Sequence, residues 1–104
     1  MIFILKQYFI DQINELSKKY KNIKNDFNDF ENFFDLSDWK HLWKWIYKFR
    51  LKNSSIPTWK RGWFRIILIS KMQENKIIPL IIYSKTTKEN VSFDEILEAL
   101  KNIN

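Results

Sequence analysis

The sequence WKWIYKFRLK at residues 43–52 decides the fold prediction, because large apolar side chains alternate there with mostly basic ones. A period of two is typical of a β-strand with one face in a core and the other in solvent. The core face is predicted to carry Trp43, Trp45, Tyr47, Phe49 and Leu51, and the outer face Lys44, Ile46, Lys48, Arg50 and Lys52. The sequence therefore predicts a strand with a cationic face.

Basic residues are concentrated around this strand. Residues 39–88 hold twelve Lys or Arg and one acid, whereas the flanking stretches hold six bases and eleven acids. The net charge of +6 thus divides into +11 in the middle and −5 outside it. Clustered cations release counterions when they neutralise phosphates, so this segregation indicates a polyanionic partner, with nucleic acid as the leading candidate.

Length and composition exclude several classes of protein. The 104 residues predict one domain, and a hydrophobic content of 45% is too high for intrinsic disorder. The chain has no cysteine and one histidine, His41, which argues against disulfides, thiolate sites and a dedicated transition-metal site. No metal or other cofactor is predicted. No apolar stretch has the length of a signal-peptide core or a membrane span, so a cytoplasmic location is expected.

Helical periodicity is predicted in three places. Two amphipathic helices are expected near the start, with apolar stripes at Phe9, Ile13, Leu16 and Tyr20 and at Ile23, Phe27, Phe30 and Phe34. A closing helix is expected to begin after Ser92, because Glu95 lies three residues further on and completes a capping-box pattern.

The remaining strands follow from β-branched runs and turn residues. Strands are predicted at residues 2–5, 64–70 and 77–83, besides the one at 43–52. Pro79 cannot donate a ladder hydrogen bond, so it indicates an edge position or a bulge. The elements together predict an α+β fold in which two N-terminal helices and a C-terminal helix pack on one face of a small antiparallel sheet.

Cations from adjoining strands are predicted to converge on one site. Neighbouring antiparallel strands lie about 5 Å apart, so side chains on the same face of two strands can reach one ligand. The candidates are Lys48, Arg50, Lys52, Arg65, Lys85 and Lys88. Such a cluster would bind a phosphodiester and stabilise charge in phosphoryl transfer. Crowding lowers the proton affinity of lysine, so one lysine could act as a general base. A solvated basic surface is the alternative.

Tryptophans favour RNA among the polyanions. Trp59 and Trp63 lie beside basic residues, and unstacked bases bind readily to indole rings. Their other interpretation is that they cap the edge of the core. The predicted RNA-binding residues are Lys44, Lys52, Trp59, Lys60, Arg61 and Trp63.

Three segments resemble the RelE/ParE superfamily of bacterial toxin–antitoxin toxins. They are YKFRLKN at 47–53, IPTWKRGWFRII at 56–67 and IYSKTTKENVS at 82–92. The RelE-like branch commonly shows a basic strand, a glycine-rich turn with an aromatic residue and an arginine, and a Tyr-Ser-Lys segment before the last helix. The resemblance spans nearly the whole chain and agrees with the predicted order of elements.

The resemblance implies a metal-independent endoribonuclease that cleaves messenger RNA on the ribosome and is neutralised by a cognate antitoxin protein. In such enzymes the ribose 2′-hydroxyl attacks the adjacent phosphate. Carried over by position, Lys48 and Arg50 lie on the basic strand, Arg65 binds the scissile phosphate, and Lys85 or Lys88 transfers a proton.

Departures from the family pattern leave two further hypotheses open. Trp59, Arg61 and Trp63 stand where the family's turn has small residues, and no tyrosine has a clear counterpart just before the last helix. One alternative is a ParE-type toxin that inhibits DNA gyrase without nuclease activity. The other is a non-catalytic RNA-binding module, a degenerate toxin with tryptophans in the former cleft.

Overall fold

The computed structural model of the protein describes residues 2–34, 40–57 and 62–103. These residues contain five strands and three helices. A short 3₁₀ turn, Met72–Glu74, separates the last two strands. The elements in chain order are β1 Ile2–Phe3, α1 Gln7–Ser17, α2 Ile23–Asn32, β2 Lys40–Trp43, β3 Ile46–Leu51, β4 Phe64–Lys71, β5 Lys76–Ser84 and α3 Phe93–Asn102. The α+β prediction is confirmed.

The sheet is mixed, with the strand order β1-β5-β4-β3-β2. Strands β2 to β5 pair antiparallel, whereas β1 pairs parallel with β5 through Ile2 and Phe3. The prediction of a purely antiparallel sheet was therefore wrong at this edge. The reason is connectivity, because α1 and α2 intervene between β1 and the rest of the sheet and allow it to return in either direction.

The helices cover both faces of the sheet. Phe9 of α1 and Phe27 of α2 pack in one cluster with Phe49, whereas Ile96 and Ala99 of α3 pack in another on the opposite face. The prediction that all helices lie on one face was wrong for α3. Apolar side chains of the strands also lie on this second face and must be shielded from water. They are Ile46, Ile67, Ile69 and Leu80.

A hairpin replaces the start of the predicted strand at 43–52. Lys44 has a φ of 47° in the turn between β2 and β3, and β3 begins only at Ile46. The extra strand β2, Lys40–Trp43, is exposed along its length and was not predicted. A left-handed turn usually requires Gly or Asn, so Lys44 gave no sequence signal for it.

Strand β5 contains a bulge at the predicted proline. Leu68 pairs with Pro79 and Ile67 with Ile81, so Leu80 is the extra residue on β5. Here the side-chain amide of Gln12 in α1 makes the hydrogen bonds that a neighbouring strand would make. Its Nε2 donates to the Leu80 carbonyl at 2.8 Å. Its Oε1 accepts from the Ile82 amide at 3.1 Å. This side chain satisfies the edge of β5 beyond the end of β1.

The helix predictions are confirmed with small differences at the ends. Phe9 and Ile13 are buried in α1, while Tyr20 and Phe34 lie just past the ends of α1 and α2 and still pack on the core. Ser92 caps α3, and its Oγ accepts from the Glu95 amide at 3.2 Å. None of the three described helices combines the length and apolar content needed to cross a lipid bilayer.

We expect Gln12→Ala to lower the free energy of unfolding by about 1–3 kcal/mol, because two backbone groups of β5 lose their partner. Urea unfolding followed by circular dichroism measures the change. Gln7→Ala is the matched control, since Gln7 bonds only Asp11 at an exposed position of the same helix; it should stay within about 0.5 kcal/mol of the parent. Equal losses in the two variants would contradict the edge role of Gln12.

Candidate functional site

Five cations line one cleft on the α3 face of the sheet. They are Lys40, Lys48, Arg50, Arg65 and Lys85. The cleft has a volume of about 670 Å³, and Phe49, Trp63, Glu89 and Asn90 complete its lining. This volume is within the range of ordinary small-ligand sites. The charge of the lining selects an anion.

Strand register brings the cations of β2, β3 and β4 together. Lys40 pairs with Lys48 across β2 and β3, and Arg50 pairs with Arg65 across β3 and β4. Directly paired residues project from the same face, with Cβ atoms about 5 Å apart. Like charges in such pairs destabilise a sheet, and here two such pairs stand side by side. A bound anion would remove that repulsion.

The segment after β5 forms the far wall of the cleft. The amides of Thr87 and Lys88 both donate to the Ser84 carbonyl, at 3.2 and 3.1 Å, which turns the chain back over the sheet. Asn90 then lies beside Lys48, whose Nζ donates to Asn90 Oδ1 at 3.4 Å. This turn explains how Lys85, Glu89 and Asn90 reach the cleft from beyond the last strand.

Two buried polar side chains anchor the connection between β3 and β4. Asp26 of α2 accepts from the Ser54 amide at 2.9 Å and from its hydroxyl at 2.6 Å. Asn53 donates to the Gly62 carbonyl at 3.3 Å, and a Cβ at Gly62 would collide with the Ile56 side chain. These contacts fix the end of the connection from which the next residue enters the cleft.

That next residue, Trp63, lines the cleft and is 47% exposed, so its ring is accessible to a ligand. Its carbonyl accepts from the Lys85 amide at 3.3 Å, which ties it to the opposite wall. An indole with an open face beside cations suits a nucleobase next to a phosphate. The position of Trp63 leaves its ring accessible for the expected RNA-binding role, which stays a prediction.

The cleft lowers the pKa of Lys48 below the ordinary lysine value. Partial burial is the main cause, and the charges of Arg65, Lys40, Lys85 and Arg50 add to it in that order. Both effects disfavour the protonated amine. A lysine with a lowered pKa supplies more of the neutral form near pH 7, which a general base requires.

Arg65 is the most buried of the five cations, with 8% exposure. Burial and the charge of Arg50 lower its pKa, while Tyr83 on the neighbouring strand opposes that change. Its guanidinium donates to the Phe64 carbonyl at 3.4 Å, and none of the ion pairs among the described residues includes a cleft cation. Its positive charge is therefore left for a ligand.

The structure brings together five of the predicted residues and places three others outside the cleft. Lys48, Arg50, Trp63, Arg65 and Lys85 line the cleft. Lys88 does not, because its ammonium pairs with the Glu95 carboxylate of α3. Lys44 lies in the β2–β3 turn and Lys52 is exposed just past β3, both outside the cleft lining. Trp59, Lys60 and Arg61 lie outside the described residues.

Three polar residues of the cleft lining were missed by the sequence reasoning. Lys40 was missed because it lies on the unpredicted strand β2, which the hairpin places opposite Lys48. Glu89 and Asn90 lie in an acidic flank that the charge pattern assigned to the outside of the site. His41 pairs with Tyr47, so it projects from the face opposite the cations and has no part in the cleft.

No family model matches the chain, and no curated protein matches it with significant similarity. Within residues 2–34, 40–57 and 62–103, no three His, Asp or Glu side chains lie close enough together to hold a metal ion.

We expect Lys48→Met to raise the melting temperature by about 2–4 °C at pH 7, because the other cations no longer repel a charge at this position. The folded-state pKa of Lys48 is lowered, so the unfolded chain binds the proton more tightly and parent stability rises with pH between the two pKa values. The gain should therefore shrink as the pH passes the ordinary lysine pKa. Thermal unfolding at several pH values measures both effects.

Lys101→Met is the control, because this exposed lysine ends α3 away from the cleft. A gain for Lys101→Met equal to that for Lys48→Met, or a gain independent of pH, would show that charge repulsion in the cleft is not the cause.

Proposed function

We propose that this protein is a metal-independent endoribonuclease, the toxin of a toxin–antitoxin pair, which cleaves messenger RNA in the cationic cleft. One observation carries the proposal: Lys48, Arg50, Arg65 and Lys85, from two strands and a turn, line one cleft. Preorganised cations of this kind stabilise the charge that develops on a phosphate in the transition state. The resemblance of three sequence segments to the RelE/ParE superfamily supports the same assignment.

The proposed reaction transfers a phosphoryl group within the RNA, from a 5′-oxygen to the neighbouring 2′-oxygen. Lys48, whose pKa is lowered, takes the proton of a ribose 2′-hydroxyl, and the 2′-oxygen forms a bond to the adjacent phosphorus. The bond from phosphorus to the 5′-oxygen breaks, and Lys85 donates a proton to that leaving oxygen. The products are a 2′,3′-cyclic phosphate and a 5′-hydroxyl, with no water consumed in this step.

The two arginines stabilise the phosphate during this transfer. Arg65 is held rigidly by its buried position, and Arg50 lies directly across from it. A guanidinium donates two parallel hydrogen bonds to phosphate oxygens, so the pair can bind the non-bridging oxygens of a single phosphate. Removing one such donor from a preorganised site typically costs about 10²–10³ in rate.

RNA fits the site better than DNA because the proposed nucleophile is the 2′-hydroxyl, which DNA lacks. Trp63 adds a stacking surface for the base next to the bound phosphate. The ribosome as the setting for cleavage and an acidic antitoxin as the inhibitor are proposed from the family resemblance. An antitoxin segment with acidic side chains would neutralise the cleft cations directly.

Non-catalytic RNA binding is the second candidate, and a specific observation favours it. Lys88, one of the two residues expected to transfer a proton, is paired with Glu95 outside the cleft lining. With Lys88 elsewhere, Lys85 is left as the donor of those two lysines, and a cleft in which Lys85 does not reach the leaving oxygen would bind RNA without cleaving it. The two candidates differ in turnover, and they share the RNA-binding surface.

Cleavage of a single-stranded RNA by the purified protein tests the proposal. We expect Arg65→Ala to reduce the cleavage rate by about 10²–10³, and a substrate with 2′-deoxyribose at the cleaved position to resist cleavage. Chelators should have no effect. Expression of the parent protein, but not of Arg65→Ala, should arrest bacterial growth.

Lys52→Ala is the matched control, because Lys52 has the same sign of charge and follows β3 without lining the cleft. Its cleavage rate should stay within a few-fold of the parent. Full activity in Arg65→Ala, or equal losses in the two variants, would refute the proposed site. RNA binding without any cleavage by the parent would instead establish the non-catalytic candidate.

The salt dependence of RNA binding tests the number of phosphate contacts in the cleft. Each neutralised phosphate contributes about −0.7 to the slope of log K against log salt for a single strand. We expect Arg50→Ala to reduce that slope by about one contact, while Lys101→Ala leaves it unchanged. Fluorescence anisotropy at several salt concentrations gives the slopes. Identical slopes for the parent and Arg50→Ala would contradict phosphate binding at Arg50.

A further inference from the structure

An aromatic pair lies on the cleft face of the sheet, at the end opposite Trp63. Trp43, the last residue of β2, and Phe93, the first residue of α3, meet edge to face with ring centroids 5.6 Å apart. Trp43 is 45% exposed and Phe93 is 55% exposed. Such rings cost free energy in water, and the proposed chemistry of the cleft does not use them.

Strand register places Trp43 on the same face as the cations. Trp43 pairs with Ile46, whose side chain packs on the α3 side, just as Lys40 pairs with Lys48. The contact with Phe93 confirms this orientation, because α3 covers that face. Trp43, the cations and Trp63 therefore follow one another along a single surface.

The spacing along this surface suits an extended strand of nucleic acid. Trp43 is level with Ile46 on β3, and Trp63 lies just beyond the level of Leu51. Five to six residues of β-strand span about 20 Å. Two indoles at this separation would each stack on a base of one nucleic-acid strand, while the cations between them contact the phosphates of that strand.

The ammonium of an exposed lysine lies over the Trp43 ring. The Lys44 ammonium lies 4.8 Å from its centroid, in a cation–π contact. Lys44 is exposed, so its side chain can leave the ring at small cost. A base that replaced it would stack on the indole, and the released ammonium would lie beside the phosphate of that nucleotide.

We propose that Trp43 and Phe93 form a second base-binding subsite, which holds a nucleotide of single-stranded RNA remote from the phosphate bound by Arg65. The inference rests on the proposed function and adds how the substrate crosses the protein. RNA is the occupant that the surroundings favour, because Lys40, Lys44 and Lys48 flank the aromatic pair on β2, its turn and β3. An apolar protein partner would leave those charges without counterions.

Binding of two oligonucleotides of different length tests the subsite. The probes are a trinucleotide and a single strand of about a dozen nucleotides, both with 2′-deoxyribose so that cleavage cannot occur. We expect Trp43→Ala to bind the longer probe about tenfold more weakly and the trinucleotide as tightly as the parent, since loss of base stacking on an aromatic ring has about this effect. Trp43→Phe should recover most of the loss.

Trp45→Ala is the matched control, because Trp45 is 62% exposed in the neighbouring turn. It should bind both probes as the parent does. Equal affinity of Trp43→Ala and the parent for the longer probe would overturn the inference while leaving the proposed function intact. The inference would also be overturned if Trp43→Ala changed the oligomeric state in sedimentation without changing the affinity for the probes. That result would identify a protein interface. If the parent binds neither probe and does not cleave a single-stranded RNA with 2′-hydroxyl groups, the proposed function fails as well.

Discussion

The pairing of Arg50 with Arg65 across β3 and β4 is the constraint on which the site depends. Two guanidinium groups at directly opposed positions repel each other, and the sheet holds them there through its ladder hydrogen bonds and the apolar neighbours of each strand. Phe49 and Leu51 on β3 and Phe64 on β4 are almost fully buried on the other face. The core therefore supplies the free energy that keeps unfavourable charges together, and an anion recovers part of it on binding.

The unequal cover of the two faces explains why a cleft exists at all. Helices α1 and α2 fill one face with aromatic side chains, whereas α3 covers the other face only around Ile96 and Ala99. The uncovered part of that face is where the side chains change from isoleucine to lysine and arginine. The chain after β5 turns over this region through Ser84 and closes the cleft from outside.

Much of this arrangement follows from the sequence, because a period of two fixes which side chains share a face. The alternation of Phe49, Arg50 and Leu51 was sufficient to place the cations of β3 together, and the register of β4 then added Arg65. The hairpin at Lys44 was not predictable, since its left-handed turn has neither glycine nor asparagine. For the same reason Lys40 was missed, and the pairing of Lys88 with Glu95 depends on a tertiary contact with α3 that no local pattern specifies.

In the proposed reaction, the electrostatics of the cleft change on RNA binding in a way that suits proton transfer. In the free protein, burial and four neighbouring cations lower the pKa of Lys48 and so favour its neutral amine relative to an ordinary lysine. A phosphate bound at Arg65 reduces the repulsion, and the further negative charge of the transition state attracts a proton on Lys48 more strongly. The proton affinity of Lys48 thus rises as the 2′-hydroxyl loses its proton. A base whose strength increases along the reaction is favoured in the transition state over the ground state, which is the condition for catalysis.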